Sequence, residues 1–114
     1  MDPIKEALTF DDVTLAPKYS SVLPSEVNTS VKLSKNLNLK IPLLSSAMDT
    51  VTESKMAIEI AKAGGIGVIH RNLSINDQIL EIKKVQKKGL AVGAAVGTND
   101  TEISRAEKII KSKV

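Results

Sequence analysis

With 114 residues, 42% of them hydrophobic and 25% charged, the chain has the composition of an ordinary soluble globular domain, which argues against disorder and membrane insertion. No run approaches the roughly 18 apolar residues of a membrane span, and the start, Met1-Asp2-Pro3-Ile4-Lys5-Glu6, lacks the basic-then-apolar layout of a secretory signal, so a cytoplasmic location without a membrane partner is expected. The absence of cysteine removes disulfides, thiolate metal sites and a cysteine nucleophile from these residues; the formal charge of +3, with no Trp, one Tyr and one Phe to stack on bases, reads as solvated lysines (Lys83, Lys84, Lys87, Lys88) rather than a nucleic-acid surface.

Residues 1–40 carry Pro3, Pro17 and Pro24 among short apolar runs. They read as an extended lead-in packed against the remainder of the chain. From residue 41 to 114 one plan repeats three times: an apolar strand, a polar turn and a segment with helical apolar spacing. The first strand is placed at Ile41–Ala47, followed by a helix starting at Thr50. Glu53 is its capping-box partner, Met56, Ala57, Ile60 and Ala61 form its apolar face, and Gly64 is its stop. The second strand is Ile66–Ile69, ending in His70-Arg71-Asn72. Ser74 with Asp77 opens its helix, Ile75, Ile79, Ile82 and Val85 make the buried face, and Gly89 ends it. The third strand is Leu90–Val96. Gly97-Thr98-Asn99 forms the turn, Asn99 with Glu102 caps the last helix, and Ile103, Ala106, Ile109 and Ile110 form its stripe.

Continuous apolar strands alternating with helices imply an α/β fold with parallel strands. Such a pattern opens both a closed (β/α)8 barrel and an open doubly wound sheet. Gly64-Gly65-Ile66-Gly67 does not decide between them, because a dinucleotide fingerprint places its glycines after the strand, not before and within it. The single histidine, His70, is a weak candidate for a general base without a visible partner. One histidine among scattered carboxylates offers no metal-ligand spacing.

Several segments together resemble the inosine monophosphate dehydrogenase family. They are Leu8-Thr9-Phe10-Asp11-Asp12-Val13, Tyr19-Ser20-Ser21-Val22-Leu23-Pro24, Pro42-Leu43-Leu44-Ser45-Ser46-Ala47-Met48-Asp49-Thr50-Val51-Thr52-Glu53, Gly64-Gly65-Ile66-Gly67-Val68-Ile69-His70-Arg71-Asn72 and Val92-Gly93-Ala94-Ala95-Val96-Gly97. The related guanosine monophosphate reductases share the barrel and are the alternative, with a non-catalytic fragment binding nucleotide or a partner chain as a second. The resemblance implies a TIM (β/α)8 barrel of which only about the first three βα units stand here, since a whole barrel takes roughly 250 residues. It implies a step of guanine nucleotide synthesis, oxidation of inosine monophosphate to xanthosine monophosphate with NAD. That reaction uses a cysteine nucleophile on a later loop, so no catalytic residue is expected in these residues and the chain alone is expected to be inactive.

By the same resemblance, Ser46 and Met48 contact the substrate nucleotide, and their chemistry suits it: a hydroxyl to hydrogen-bond and a polarisable thioether against a purine. Thr98 and Asn99 match positions near the cofactor, with capping of the third helix as the competing role of Asn99. Ser20 and Pro24 match positions that reach the adenosine end of NAD on a neighbouring subunit. Asp49 is assigned to capping. The family's monovalent cation, potassium, is expected on later loops, and its usual assembly is a homotetramer; a complementary barrel fragment would serve the open edges instead. The pair of regulatory cystathionine-β-synthase-type domains common in the family is absent, because Lys87-Lys88-Gly89-Leu90 passes directly from the second helix to the third strand.

Overall fold

A computed structural model describes residues 5–112. Its opening is irregular. Residues 5–30 contain only two single-turn 3-10 helices, Phe10–Asp12 and Pro24–Glu26, and none of residues 5–36 is buried. A short antiparallel hairpin comes next, β1 (Val31–Ser34) and β2 (Leu37–Leu39), which the proline-based reading of the lead-in did not anticipate. The signal was present: Val-Lys-Leu and Leu-Asn-Leu alternate about the turn residues Lys35 and Asn36, and alternation around a turn is how a hairpin reads. Its last residue, Leu39, is buried, and Thr29 Oγ1 donates to the Lys40 carbonyl at 3.0 Å.

Three βα units complete the chain: β3 (Leu44–Ser45) with α1 (Ser54–Lys62), β4 (Ile66–Ile69) with α2 (Ile75–Gln86), and β5 (Val92–Ala94) with α3 (Asp100–Lys111). The strands form one open parallel sheet in the order β3-β4-β5, as continuous apolar strands joined by helices require. All three therefore point their carboxyl ends, and the loops that leave them, to the same edge.

The second strand matches its sequence reading residue for residue, while the first and third are shorter than read. Both caps are observed: Ser74 Oγ accepts from Asp77 N at 3.1 Å and Asn99 Oδ1 from Glu102 N at 2.9 Å. Gly64 ends α1 with a left-handed φ of 103°, a conformation glycine adopts without a Cβ penalty.

The start of α1 corrects the sequence reading. Residues 49–53 are not helical; Val51 N and Thr52 N donate to the Met48 carbonyl at 3.0 and 2.9 Å, folding the chain into a turn, and Glu53 is extended. Glu53 thus stands at the N-cap position but makes no side-chain cap bond. That duty passes to Glu81 of α2, whose Oε2 accepts from Ser54 N at 2.8 Å.

The core joins the three units. Ala57, Ile69, Ile82, Val85 and Ile109 are buried together, with Ile58, Leu73, Ile79, Leu90, Val92 and Ala94 packed around them. Each fully buried Ile or Val contributes on the order of 1.5–3 kcal/mol relative to exposure. The stripe expected on α3 is only partly realised, because this helix packs on α2 along one side. Ile109 is buried and Ile103 and Ile110 are exposed. Met56 on α1 is exposed as well. In their place a polar residue on each of the last two helices, Gln78 and Glu102, is buried.

Candidate functional site

The three loops at the carboxyl edge of the sheet are cross-linked by side chains. In the first, residues 46–52, the Thr52 hydroxyl is fully buried and donates to the Ser46 carbonyl at 2.5 Å, and Met48 N donates to the same carbonyl at 2.9 Å. This leaves the Ser46 side chain exposed and Met48 53% exposed on a backbone fixed from beneath. A thioether half in water is unusual for a core methionine and suits a contact surface.

The second loop is tied to the first in two places. Asn72 Nδ2 donates to Asp49 Oδ2 at 2.9 Å, so Asp49 links loops instead of capping a helix. His70 is 3% exposed, its Nε2 lies 3.3 Å from Glu53 Oε1 and its Nδ1 has no hydrogen-bond partner. The partner that the histidine lacked in the sequence is therefore Glu53, supplied by the displaced start of α1. The buried imidazole makes the pair a support beneath the loops rather than a group open to a reactant.

The third loop, residues 95–99, is tied to the second. Glu102 Oε2 accepts from Gly97 N at 3.0 Å and lies 3.8 Å from Arg71 Nη1, while Glu102 Oε1 accepts from Arg105 Nε at 3.1 Å. The Gly97 amide first, and then Arg105 and Arg71, hold the Glu102 carboxyl below its ordinary value, outweighing the opposing effect of burial. Thr98 is exposed, and so is Asn99, whose Oδ1 is engaged in the cap. On α2, burial pushes the Glu81 carboxyl up, but hydrogen bonds from Lys84 and Ser54 prevail and leave it lowered.

The candidates are thus distributed unequally. Ser46, Met48, Thr98 and Asn99 stand on loops that leave neighbouring parallel strands at one edge. Ser20 and Pro24 stand in the lead-in, where Ser20 Oγ accepts from Val22 N at 3.2 Å and Pro24 begins a 3-10 turn; the side-chain hydrogen bonds of residues 9–26 are local. An open groove of about 560 Å³ borders the first loop, between the start of α1 and α2, lined by residues including Asp49, Glu53, Met56, Glu81 and Lys84. Among the described residues there is no group of three or more metal-ligating side chains and no helix long and apolar enough to cross a membrane.

Residues 7–114 match the sequence profile of the IMP dehydrogenase / GMP reductase domain. The chain belongs to the IMP dehydrogenase / GMP reductase family. Among its relatives in this family, the inosine-5'-monophosphate dehydrogenase of Borreliella burgdorferi is 68% identical over 82 residues, covering 72% of this chain and 20% of the relative. That of Aquifex aeolicus is 50% identical over 109 residues (94% of this chain, 22% of the relative). That of Streptococcus pyogenes is 48% identical over 110 residues (95% and 22%). The chain spans about a fifth of the length of these curated relatives.

Proposed function

We propose that this chain contributes part of the substrate and cofactor surface of an NAD-dependent IMP dehydrogenase that converts inosine monophosphate, NAD and water to xanthosine monophosphate and NADH. The observation that carries the reading is the exposure of Ser46 and Met48 on a loop braced by Thr52 and Asn72 at the carboxyl edge of the sheet. Ligands of βα folds bind at that edge, because loops and helix N-termini converge there. The dehydrogenase is preferred to the GMP reductase because the named relatives are all dehydrogenases.

In this reading the parallel sheet is one segment of a TIM barrel. Residues 1–40 form a lead-in and residues 41–114 form its first three βα units; the lead-in packs on the barrel, and Ser20 and Pro24 reach the adenosine end of NAD in a neighbouring subunit of a cytoplasmic homotetramer. The Ser46 hydroxyl hydrogen-bonds the nucleotide and the Met48 thioether packs on the purine. The third loop fits the cofactor: the Asn99 oxygen is committed to its cap, which leaves the carboxamide N–H groups to donate to an amide or ribose oxygen, and the exposed Thr98 hydroxyl adds a second polar group. Bound NAD would supply the hydride acceptor. The cysteine nucleophile and the potassium ion of the complete enzyme are not supplied by these residues, which include no cysteine; their part is to bind and orient.

The test is a hybrid in which the 82 matching residues of this chain replace the corresponding segment of the Borreliella burgdorferi enzyme. Any 82-residue stretch of a 114-residue chain includes positions 33–82, and so includes both Ser46 and Met48. Loss of one hydrogen bond is worth about 1 kcal/mol, so Ser46→Ala raises KM for inosine monophosphate by about fivefold. Met48→Ala, which removes the apolar contact with the purine, raises it by about tenfold or more. Unchanged KM in both variants refutes the assignment.

A further inference from the structure

Behind the exposed loops runs a continuous chain of hydrogen bonds that none of the roles above uses. Gln78 is fully buried on α2. Its Nε2 donates to the Ala95 carbonyl at 2.9 Å and reaches the Ile69 carbonyl at 3.4 Å, bridging β4 and β5 where the ladder ends and the chains part into their loops. Its Oε1 accepts from Arg105 Nη1 at 3.0 Å, and the same nitrogen donates to the Leu73 carbonyl at 3.0 Å. Arg105 Nε passes the connection to Glu102, whose other oxygen accepts from Gly97 N. Both polar ends of Gln78, both oxygens of Glu102 and two of the three guanidinium nitrogens of Arg105 have partners, and the chain closes on the backbone of both loops.

The fit around Gly97 is tight as well as polar. A Cβ there would lie 2.8 Å from Arg71 Nη1 and 2.8 Å from Glu102 Cγ, so the Glu102 methylenes and the Arg71 guanidinium fill the space beside the loop. A buried polar network of this kind selects one backbone arrangement, because any other leaves charged or amide groups desolvated and unpaired.

We infer that Gln78 and Arg105 are positioning residues: acting through Glu102 on the Gly97 amide, they hold loop 97–99 in the geometry in which Thr98 and Asn99 meet the cofactor, without touching it themselves. The inference rests on the cofactor reading of that loop given above. An apolar residue at 78, or a lysine at 105, leaves the core filled but breaks the connection. Lysine in particular retains the charge and loses the guanidinium fork that serves Glu102, Leu73 and Gln78 together.

Hydrogen exchange on the full chain tests this, with the Gly97 amide as probe and the Ile82 amide, in the core of α2, as internal reference for global stability. Gln78→Met and Arg105→Lys are expected to accelerate Gly97 on the order of tenfold relative to Ile82, the factor that corresponds to about 1.4 kcal/mol. Glu102→Gln, which keeps an acceptor for the Gly97 N–H, is expected to restore most of the protection that Glu102→Ala removes. The same Gln78 and Arg105 variants should weaken binding of NAD, followed through the amide signals of Thr98 and Asn99, by a similar factor. If Gly97 accelerates no more than Ile82, or if NAD perturbs Thr98 and Asn99 equally in wild type and variants, the positioning role is overturned. If Gly97 alone responds, while NAD leaves Thr98 and Asn99 unperturbed even in the wild type, the network still positions the loop and the cofactor reading fails.

Discussion

Gly67 lies in the central strand with α1 directly against it. A Cβ built at this position would sit 2.5 Å from the Ala57 Cα and 2.6 Å from the Ala57 Cβ. The obstacle is therefore helix backbone as well as a methyl group, and rotamer adjustment cannot relieve it. Gly67→Ala must push α1 away from β4, loosening Ala57 and Ile69 in the core. Overpacking of a filled core costs about 1–3 kcal/mol, and backbone displacement places this case at the upper end, about 3 kcal/mol. With a urea m-value of about 1.5 kcal/mol/M for a domain of this size, the unfolding midpoint followed by far-ultraviolet circular dichroism falls by about 2 M. Gly93→Ala is the control, because its Cβ would come closest to a Val68 methyl, at 3.2 Å, and meet backbone only at an ordinary 3.6 Å from the Gly67 carbonyl; its cost is under about 1 kcal/mol. The double variant Gly67→Ala/Ala57→Gly relieves the clash with the methyl group but leaves the one with the helix backbone, so it does not regain wild-type stability. A Gly67→Ala midpoint equal to wild type, or full recovery in the double variant, would refute the close approach of α1 to β4.

The Glu102 carboxyl is held below its ordinary value of 4.5, so its contribution to stability is complete above that pH and is lost as pH falls through the lower folded-state value. Denaturation followed across this acid range is expected to lose part of its pH dependence in Glu102→Gln, whereas an unchanged acid limb contradicts the ion pairing. Ser74→Ala and Asn99→Ala each remove an observed N-cap and are expected to cost about 1 kcal/mol in chemical unfolding; a loss below about 0.3 kcal/mol would mean that the caps do not hold these helices.

Parallel strands, helix caps and the glycine stop at Gly64 were legible because each depends on residues near in sequence. The start of α1 was not. Thr50 with Glu53 has the spacing of a capping box, but Thr52 bonds Ser46 and Glu53 turns to His70, and a partner from α2, Glu81, caps the helix instead. A local pattern cannot register a competitor 27 residues away. The loop-bracing network escaped for a related reason. Counting only aliphatic positions toward a buried stripe gives Gln78 and Arg105 no role and leaves Glu102 as the capping partner of Asn99 alone. Gln78 falls three residues after Ile75 and four before Ile82, and Glu102 falls seven before Ile109, both on the inward face. A polar residue inside an apolar stripe was the available signal, since burial obliges it to find partners. Ser46, Met48, Thr98 and Asn99 were reached through family resemblance and the carboxyl-edge rule. The structure adds what supports them from beneath.

Whether these residues supply part of a nucleotide dehydrogenase's binding surface is read most directly from the unmodified hybrid with the Borreliella burgdorferi enzyme. The hybrid is expected to assemble like its parent and to form NADH from inosine monophosphate and NAD with the parent's KM for the nucleotide. A hybrid that assembles like the parent yet forms no NADH would contradict that role.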